Sequence, residues 1–188
     1  MLFVLAGGLF RLAEPKEVYD GEANRVQKSG VIGQKVMVED SSFEIIRLRF
    51  AKALVGENDD DDDPPQTTDG VFIAIDWEVV GGTKEMPSHD VTLKSAEGTE
   101  YEAAGETTGG SFYSPEPGFA KSGTFVFEVN PADIVGLQAW VKPMSFWTVA
   151  VNDYRIDLGI PDQQTADELV AGAKPEHVMT RPVERVAS

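Results

Sequence analysis

Nine residues, 71 to 79, set the terms on which this chain can fold. In VFIAIDWEV every odd position is apolar (Val71, Ile73, Ile75, Trp77, Val79), while Asp76 and Glu78 stand on even positions. Side chains alternate across a strand with period two but recur every 3.6 residues on a helix, so this segment predicts a half-buried β-strand. The same test selects 36–38, then 43–50, where Ile46, Leu48 and Phe50 oppose Arg47 and Arg49. It also selects 91–94, the neighbourhood of Tyr101, 125–129, 137–141, 147–151 and 154–158. Gly81-Gly82, Ala96-Glu97-Gly98, Gly109-Gly110, Pro115 to Gly118, Asn130-Pro131 and Lys142-Pro143 supply turn residues between these runs. No long amphipathic helix is available before residue 164. Seven to nine short strands without crossover helices predict an all-β fold, an immunoglobulin-like antiparallel β-sandwich, with a Greek-key barrel as the alternative. Trp77 and Phe127 are expected in its core.

The ends are patterned differently. Residues 1–12 open with MLFVLAGGLF and close before Glu14-Pro15-Lys16-Glu17. Ten helical residues cover about 15 Å, roughly half of a bilayer core, so this run cannot span a membrane alone. An abbreviated export signal and the far end of a transmembrane anchor both fit, as does a buried first strand or a frayed apolar terminus. The membrane-proximal readings are favoured because residues 13–30 are polar and weakly patterned, like a stalk. The sandwich is expected over 31–160. Residues 161–188 are expected to hold a short helix, with Thr165 as N-cap and Glu168 three positions on, followed by an extended or disordered tail.

The order of these pieces resembles a bacterial family of uncharacterised extracytoplasmic domains, immunoglobulin-like in fold, found in secreted, lipid-anchored or single-pass membrane proteins. The resemblance lies in Gly33-Gln34-Lys35-Val36, Gly70-Val71-Phe72-Ile73-Ala74-Ile75, the hairpin Leu93 to Tyr101, and Gly123 to Asn130 followed by a run ending at Leu137. It covers roughly residues 30–158 and implies location and fold, with no catalytic residues to carry over. The chain has no Cys, so it departs from the lipid-anchored members. The same absence excludes disulfides, thiolate zinc sites and iron–sulfur clusters.

Charge and side-chain chemistry exclude more than they select. With 16 basic against 32 acidic residues the net charge is −16, which opposes binding to a polyphosphate backbone; nucleic acid is not an expected partner. The run Glu57-Asn58-Asp59-Asp60-Asp61-Asp62-Asp63 falls between two strands. Asp59, Asp61 and Asp63 are the calcium candidates, because hard cations take several carboxylate oxygens. The run lacks the alternation, central Gly and closing Glu of an EF-hand loop, so a hydrated loop is the competing reading. No other cofactor is expected. Ser88-His89-Asp90 holds the residue types of a hydrolytic triad, but neighbours on a strand face opposite ways; His89 and His177 are expected at the surface. Glu100 and Glu102 share a strand face, a pairing that with 32 acids discriminates nothing. Gly105 to Gly110 leads into more β-like sequence, so no phosphate-cradling loop is indicated.

Two aromatics are candidate binding residues. If Leu137, Ala139 and Val141 face the core, Trp140 faces out, and Phe72 does the same on its strand. The commoner explanation is that one of these faces is covered by a loop, by the N-terminal segment or by the C-terminal helix. Ser111-Phe112-Tyr113-Ser114 reads as a loop laying one aromatic over a sheet edge. Together these features predict a non-catalytic binding or structural module, extracytoplasmic and membrane-associated through its N-terminus, with a protein or cell-envelope component as partner. The alternatives are a self-assembling cell-surface or phage component and, less favoured, a surface hydrolase.

Overall fold

The computed structural model describes residues 26–38, 40–56, 64–84, 88–104, 110–144 and 152–187. Twelve strands among these residues form two packed sheets. The first (sheet A) runs in the order β1 (Val26–Val31), β10 (Asn152–Asp157), β9 (Gln138–Pro143), β5 (His89–Lys94), β6 (Glu100–Tyr101), with β7 (Ser111–Phe112) also pairing β5. The second (sheet B) runs β11 (His177–Val178), β3 (Ser41–Val55), β4 (Gln66–Val80), β8 (Phe119–Val129), β12 (Val183–Val186), with β2 (Val36–Val38) also pairing β3. Two pairings are parallel, β1 with β10 and β11 with β3; the others are antiparallel. The protein is an all-β sandwich, as the period-two pattern predicts, and the described residues add one short α-helix.

Alternation builds the core between the sheets. In β5, His89, Val91 and Leu93 are buried while Asp90, Thr92 and Lys94 face out. Val71, Ile73, Ile75, Trp77 and Val79 of β4 meet Phe125, Phe127 and Val129 of β8 on one side and Leu93, Ala139, Val141, Tyr154 and Ile156 of sheet A on the other. Each fully buried side chain of this size contributes about 1.5–3 kcal/mol relative to exposure. The ring of Phe112 stacks on Phe43 at 4.6 Å, and Trp77 stacks on Phe125 at 5.0 Å. Phe112 is therefore a core residue of β7, where the sequence suggested a loop. Trp77 also reaches Gly123, the residue opposite it on β8; a Cβ there would lie 2.9 Å from its ring.

Strand β3 breaks the simple period. Ile45 pairs with Trp77 and Arg47 pairs with Asp76, leaving Ile46 as the extra residue of a β-bulge. Phe43 and Ile45 face the core before the bulge, and Leu48 and Phe50 face it afterwards. Ile46, expected inward, is 46% exposed.

The boundaries also differ from those expected. Residues 26–31, assigned in part to a polar stalk, form β1, whose backbone is held along β10. The segment expected as a disordered tail supplies β11 and β12, which pair edge groups of β3 and β8 that would otherwise lack partners. Helix α1 (Gln163–Ala171) is capped by Asp162 and not Thr165: the Asp162 carboxylate accepts from Thr165 N–H at 2.9 Å. Its Ala166 is buried, and Leu169 and Val170 pack on the core. Among the described residues no helix is long and apolar enough to cross a membrane.

Candidate functional site

The outer face of sheet A is partly exposed and gathers cations on an aromatic. Trp140 lies in a row across three strands, opposite Thr92 on β5 and Arg155 on β10. Lys94 Nζ is 4.1 Å from the indole centroid, Arg155 Cζ 4.0 Å and Lys142 Nζ 4.9 Å. Such cation–π contacts are worth about 0.5–1 kcal/mol each at exposed sites. Their larger effect is to hold three long side chains in one place. Glu100 Oε1 sits 3.4 Å from Lys94 Nζ and 3.7 Å from Lys142 Nζ, so it neutralises part of the cluster. Thr92 Oγ1, Trp140 Nε1 and Arg155 Nε are all buried atoms without a hydrogen-bond partner. A buried polar group in that state costs about 1–3 kcal/mol. Beside this row, burial pushes the Asp90 carboxyl above its ordinary range, assisted by Glu102 and opposed by the Val91 N–H and by Lys142.

Lys94, Lys142 and Arg155 were legible as outward residues, since each alternates with a core residue (Leu93, Val141, Ile156). What period alone could not supply is the register that brings them to Trp140.

Phe72, the other aromatic candidate, is not a surface residue: it is 0% exposed. It does point away from the main core, but a second cluster of Ala51, Leu54, Phe72, Ala74 and Val126 forms on the outer face of sheet B, against Ala104 and Met179. Ala104 and Met179 are brought there by two chain segments that pair with the edges of sheet B. After Tyr101 the chain crosses to sheet B, where Ala103 bridges to Phe127 and Ala104 N–H donates to Val126 O at 2.6 Å. From the other side the strap 174–179 runs parallel to β3, with Lys174 N–H on Phe50 O at 2.8 Å and Met179 N–H on Val55 O at 2.8 Å. Strand β4 is thus buried on both faces from Val71 to Trp77, where the alternation suggested one.

Next to the covered cluster lies a charged one. Asp76 accepts from Arg47 Nε at 2.5 Å, from Thr124 Oγ1 at 2.8 Å and from Arg49 Nη2. Burial pushes the Asp76 carboxyl up, but the hydrogen bonds from Arg47, Thr124 and Arg49 outweigh it and hold the group below its ordinary range.

Both histidines are buried, against the surface positions expected. His89 lies in the core, its ring 5.6 Å from that of Phe112, while Asp90 faces out and Ser88 Oγ donates to Phe112 O at 3.3 Å. The three triad residue types therefore point apart. His177 belongs to β11, the edge strand of sheet B beside β3; burial, with Arg49 and Lys174 close by, lowers its pKa against the opposing pull of Asp76. Sheet B separates the two imidazoles. Glu100 is engaged with two lysines, and Glu102 acts electrostatically on Asp90.

Asp59, Asp61 and Asp63 lie outside the described residues, as do residues 1–25 and the 147–151 run. Among the described residues no group of three or more His, Asp or Glu is placed to hold a metal ion.

No family model matches the chain, and no curated protein sequence matches it. Among solved structures, the chain is similar to an uncharacterised β-sandwich protein from Clostridium difficile 630, at 14% identity and a TM-score of 0.41, over 71% of this chain and 95% of the other.

Proposed function

We propose that the protein is a non-catalytic binding module, extracytoplasmic and membrane-associated, whose ligand is an anionic polymer of the cell envelope. The observation that supports this most is the cluster of Lys94, Lys142 and Arg155 on Trp140, on the open face of sheet A. On a chain of net charge −16, three cations held on one ring form a local reversal of the field, which favours an anionic ligand over a neutral one. The unpartnered donors Trp140 Nε1 and Arg155 Nε and the Thr92 hydroxyl suit acceptor oxygens. The location reading rests on the apolar residues 1–12.

The test is titration of the full chain with polygalacturonate, a carboxylate polymer, followed through the indole N–H resonance of Trp140. Saturable binding that weakens with salt and is lost in the Lys94→Glu, Lys142→Glu double variant supports the reading. Absence of binding, or binding indifferent to that variant, overturns the ligand. Fractionation of the full-length protein into the cytosol overturns the location. A second reading, self-assembly, is favoured by β12, an edge strand exposed at all four positions, with Val183 61% and Val186 71% exposed. Concentration-dependent sedimentation abolished by Val186→Lys would establish it instead.

A further inference from the structure

We propose that the recess between β3 and the strap 174–179 is a second site, which binds a compact oxyanion, a phosphate or carboxylate group, through Arg49 Nε and His177 Nε2 with Lys174 at its mouth. It lies on the opposite side of the sandwich from Trp140 and is independent of the reading given for that face.

The recess has a volume of about 340 Å³, and its lining includes Arg49, Ala51, Lys174, Glu176, His177 and Thr180. Its floor is polar but not self-satisfied. His177 is 7% exposed, yet its Nε2 has no hydrogen-bond partner, and neither does the buried Nε of Arg49. Buried nitrogens are almost always paired, so two such atoms on residues that line one recess point to an acceptor from outside the chain. Asp76 does not fill that role: it already accepts from Arg47 Nε, Arg49 Nη2 and Thr124 Oγ1. Those bonds, with the one from Arg49 Nη2 to Thr124 Oγ1, orient the Arg49 guanidinium and leave its Nε–H for another partner. A single guanidinium N–H suits one oxygen of a carboxylate or phosphate, and a neighbouring ammonium adds charge. His177 acts as a neutral or protonated donor there; an anion would offset the desolvation that keeps it neutral. Glu176, at the exposed rim, opposes the ligand.

The site also requires the strap. His177 faces the recess because β11 runs parallel to β3 with His177 opposite Leu54. Lys174 is fixed by its two backbone bonds, N–H to Phe50 O at 2.8 Å and O from Lys52 N–H at 2.9 Å. An oxyanion bound there therefore ties the strap to the sheet and stabilises the strap's docked state.

The experiment is NMR titration of the full chain with inorganic phosphate and, separately, with acetate, both at constant ionic strength, reading the His177 imidazole resonances and, in every variant, the backbone amides of 174–180. We expect saturation by one of the two with Kd on the order of 1 mM, the tighter arm naming the ligand class. His177→Gln and Lys174→Gln should each weaken it about tenfold, the loss of one good hydrogen bond or charge contact. Glu176→Gln should tighten it, and Arg185→Gln, far along β12, should leave it unchanged. The proposal is overturned if neither anion saturates at tens of millimolar, or if the variants at positions 174 and 176 bind like the parent. Folding of each variant is checked by its amide spectrum, and Lys174→Gln, at an exposed position, keeps the test decisive should the His177 variant unfold. Loss of phosphate binding in His177→Gln with polygalacturonate binding intact would separate this site from the Trp140 face.

Discussion

The two outer faces of the sandwich start from the same alternating pattern and end in opposite states. On sheet A the outward residues Lys94, Trp140, Lys142 and Arg155 remain partly exposed and organise one another across β5, β9 and β10. On sheet B the outward residues Phe72, Ala74 and Val126 are as buried as the main core, and Ala104 and Met179, from segments paired at the two edges of β8 and β3, pack against them. Outward on a strand is a statement about one sheet. Exposure depends on which other part of the chain docks there, and at sheet B the chain covers itself.

The largest expected effect breaks this contrast directly. Phe72→Ala should cost about 3–5 kcal/mol, as for a large core ring, whereas Trp140→Ala on the open face should cost well under half of that. Equal losses in parallel denaturant melts would mean that the outer cluster of sheet B is not packed in solution. Next in size is Asp76→Ala. It strips Arg47, Arg49 and Thr124 of a shared acceptor, and hydrogen bonds to a charged group of this kind are worth about 1.5–3 kcal/mol. Arg155→Ala on sheet A removes a cation–π contact and should cost about 0.5–1 kcal/mol.

A pH scan should give a smaller change, and the part of it removed by changing His177 reports sheet B. His177 prefers its neutral form in the folded state, mainly because it is buried and also because Arg49 and Lys174 stand near it, with Asp76 opposing. Its contribution is therefore complete above the ordinary value of 6.5 and is lost as pH falls from there toward the folded-state pKa. Tm should drop on acidification from pH 7 to about pH 5, and His177→Gln should flatten that drop while Trp140→Ala leaves it alone. An identical slope in the His177 variant would show that the strap does not bury this imidazole. The smallest effect is at Lys94: Lys94→Gln should change stability by about 0.5 kcal/mol or less, since its partners, Trp140 and the half-exposed Glu100, lie at the surface.

These contrasts mark how far the sequence could be read. The strands at 71–79, 91–94, 125–129 and 137–141 were legible because several apolar positions repeat with period two in each. The position of Ile46 was not, because a bulge changes the parity of a strand at a single residue and leaves both halves looking regular. Of the candidate binding residues, Trp140 could be placed on its face from its neighbours Ala139 and Val141. The cations on it needed the register of three strands. Arg49 and His177 are 128 positions apart in the chain, and no local pattern relates them.

Composition and periodicity alone determined that this chain forms β-strands with an apolar face, that it does so without cysteines, and that its field is strongly acidic. Those properties come from side-chain chemistry and from the two-residue repeat of an extended backbone, which are present in any segment taken by itself. Tertiary structure decided which outward face stays open, that the C-terminal residues pair as strands, and that Arg49, Lys174 and His177 share one recess. Backbone edges are chemically alike along every strand, so the choice of which segment pairs with which edge, and what it then covers, is settled only by the packing of the whole chain.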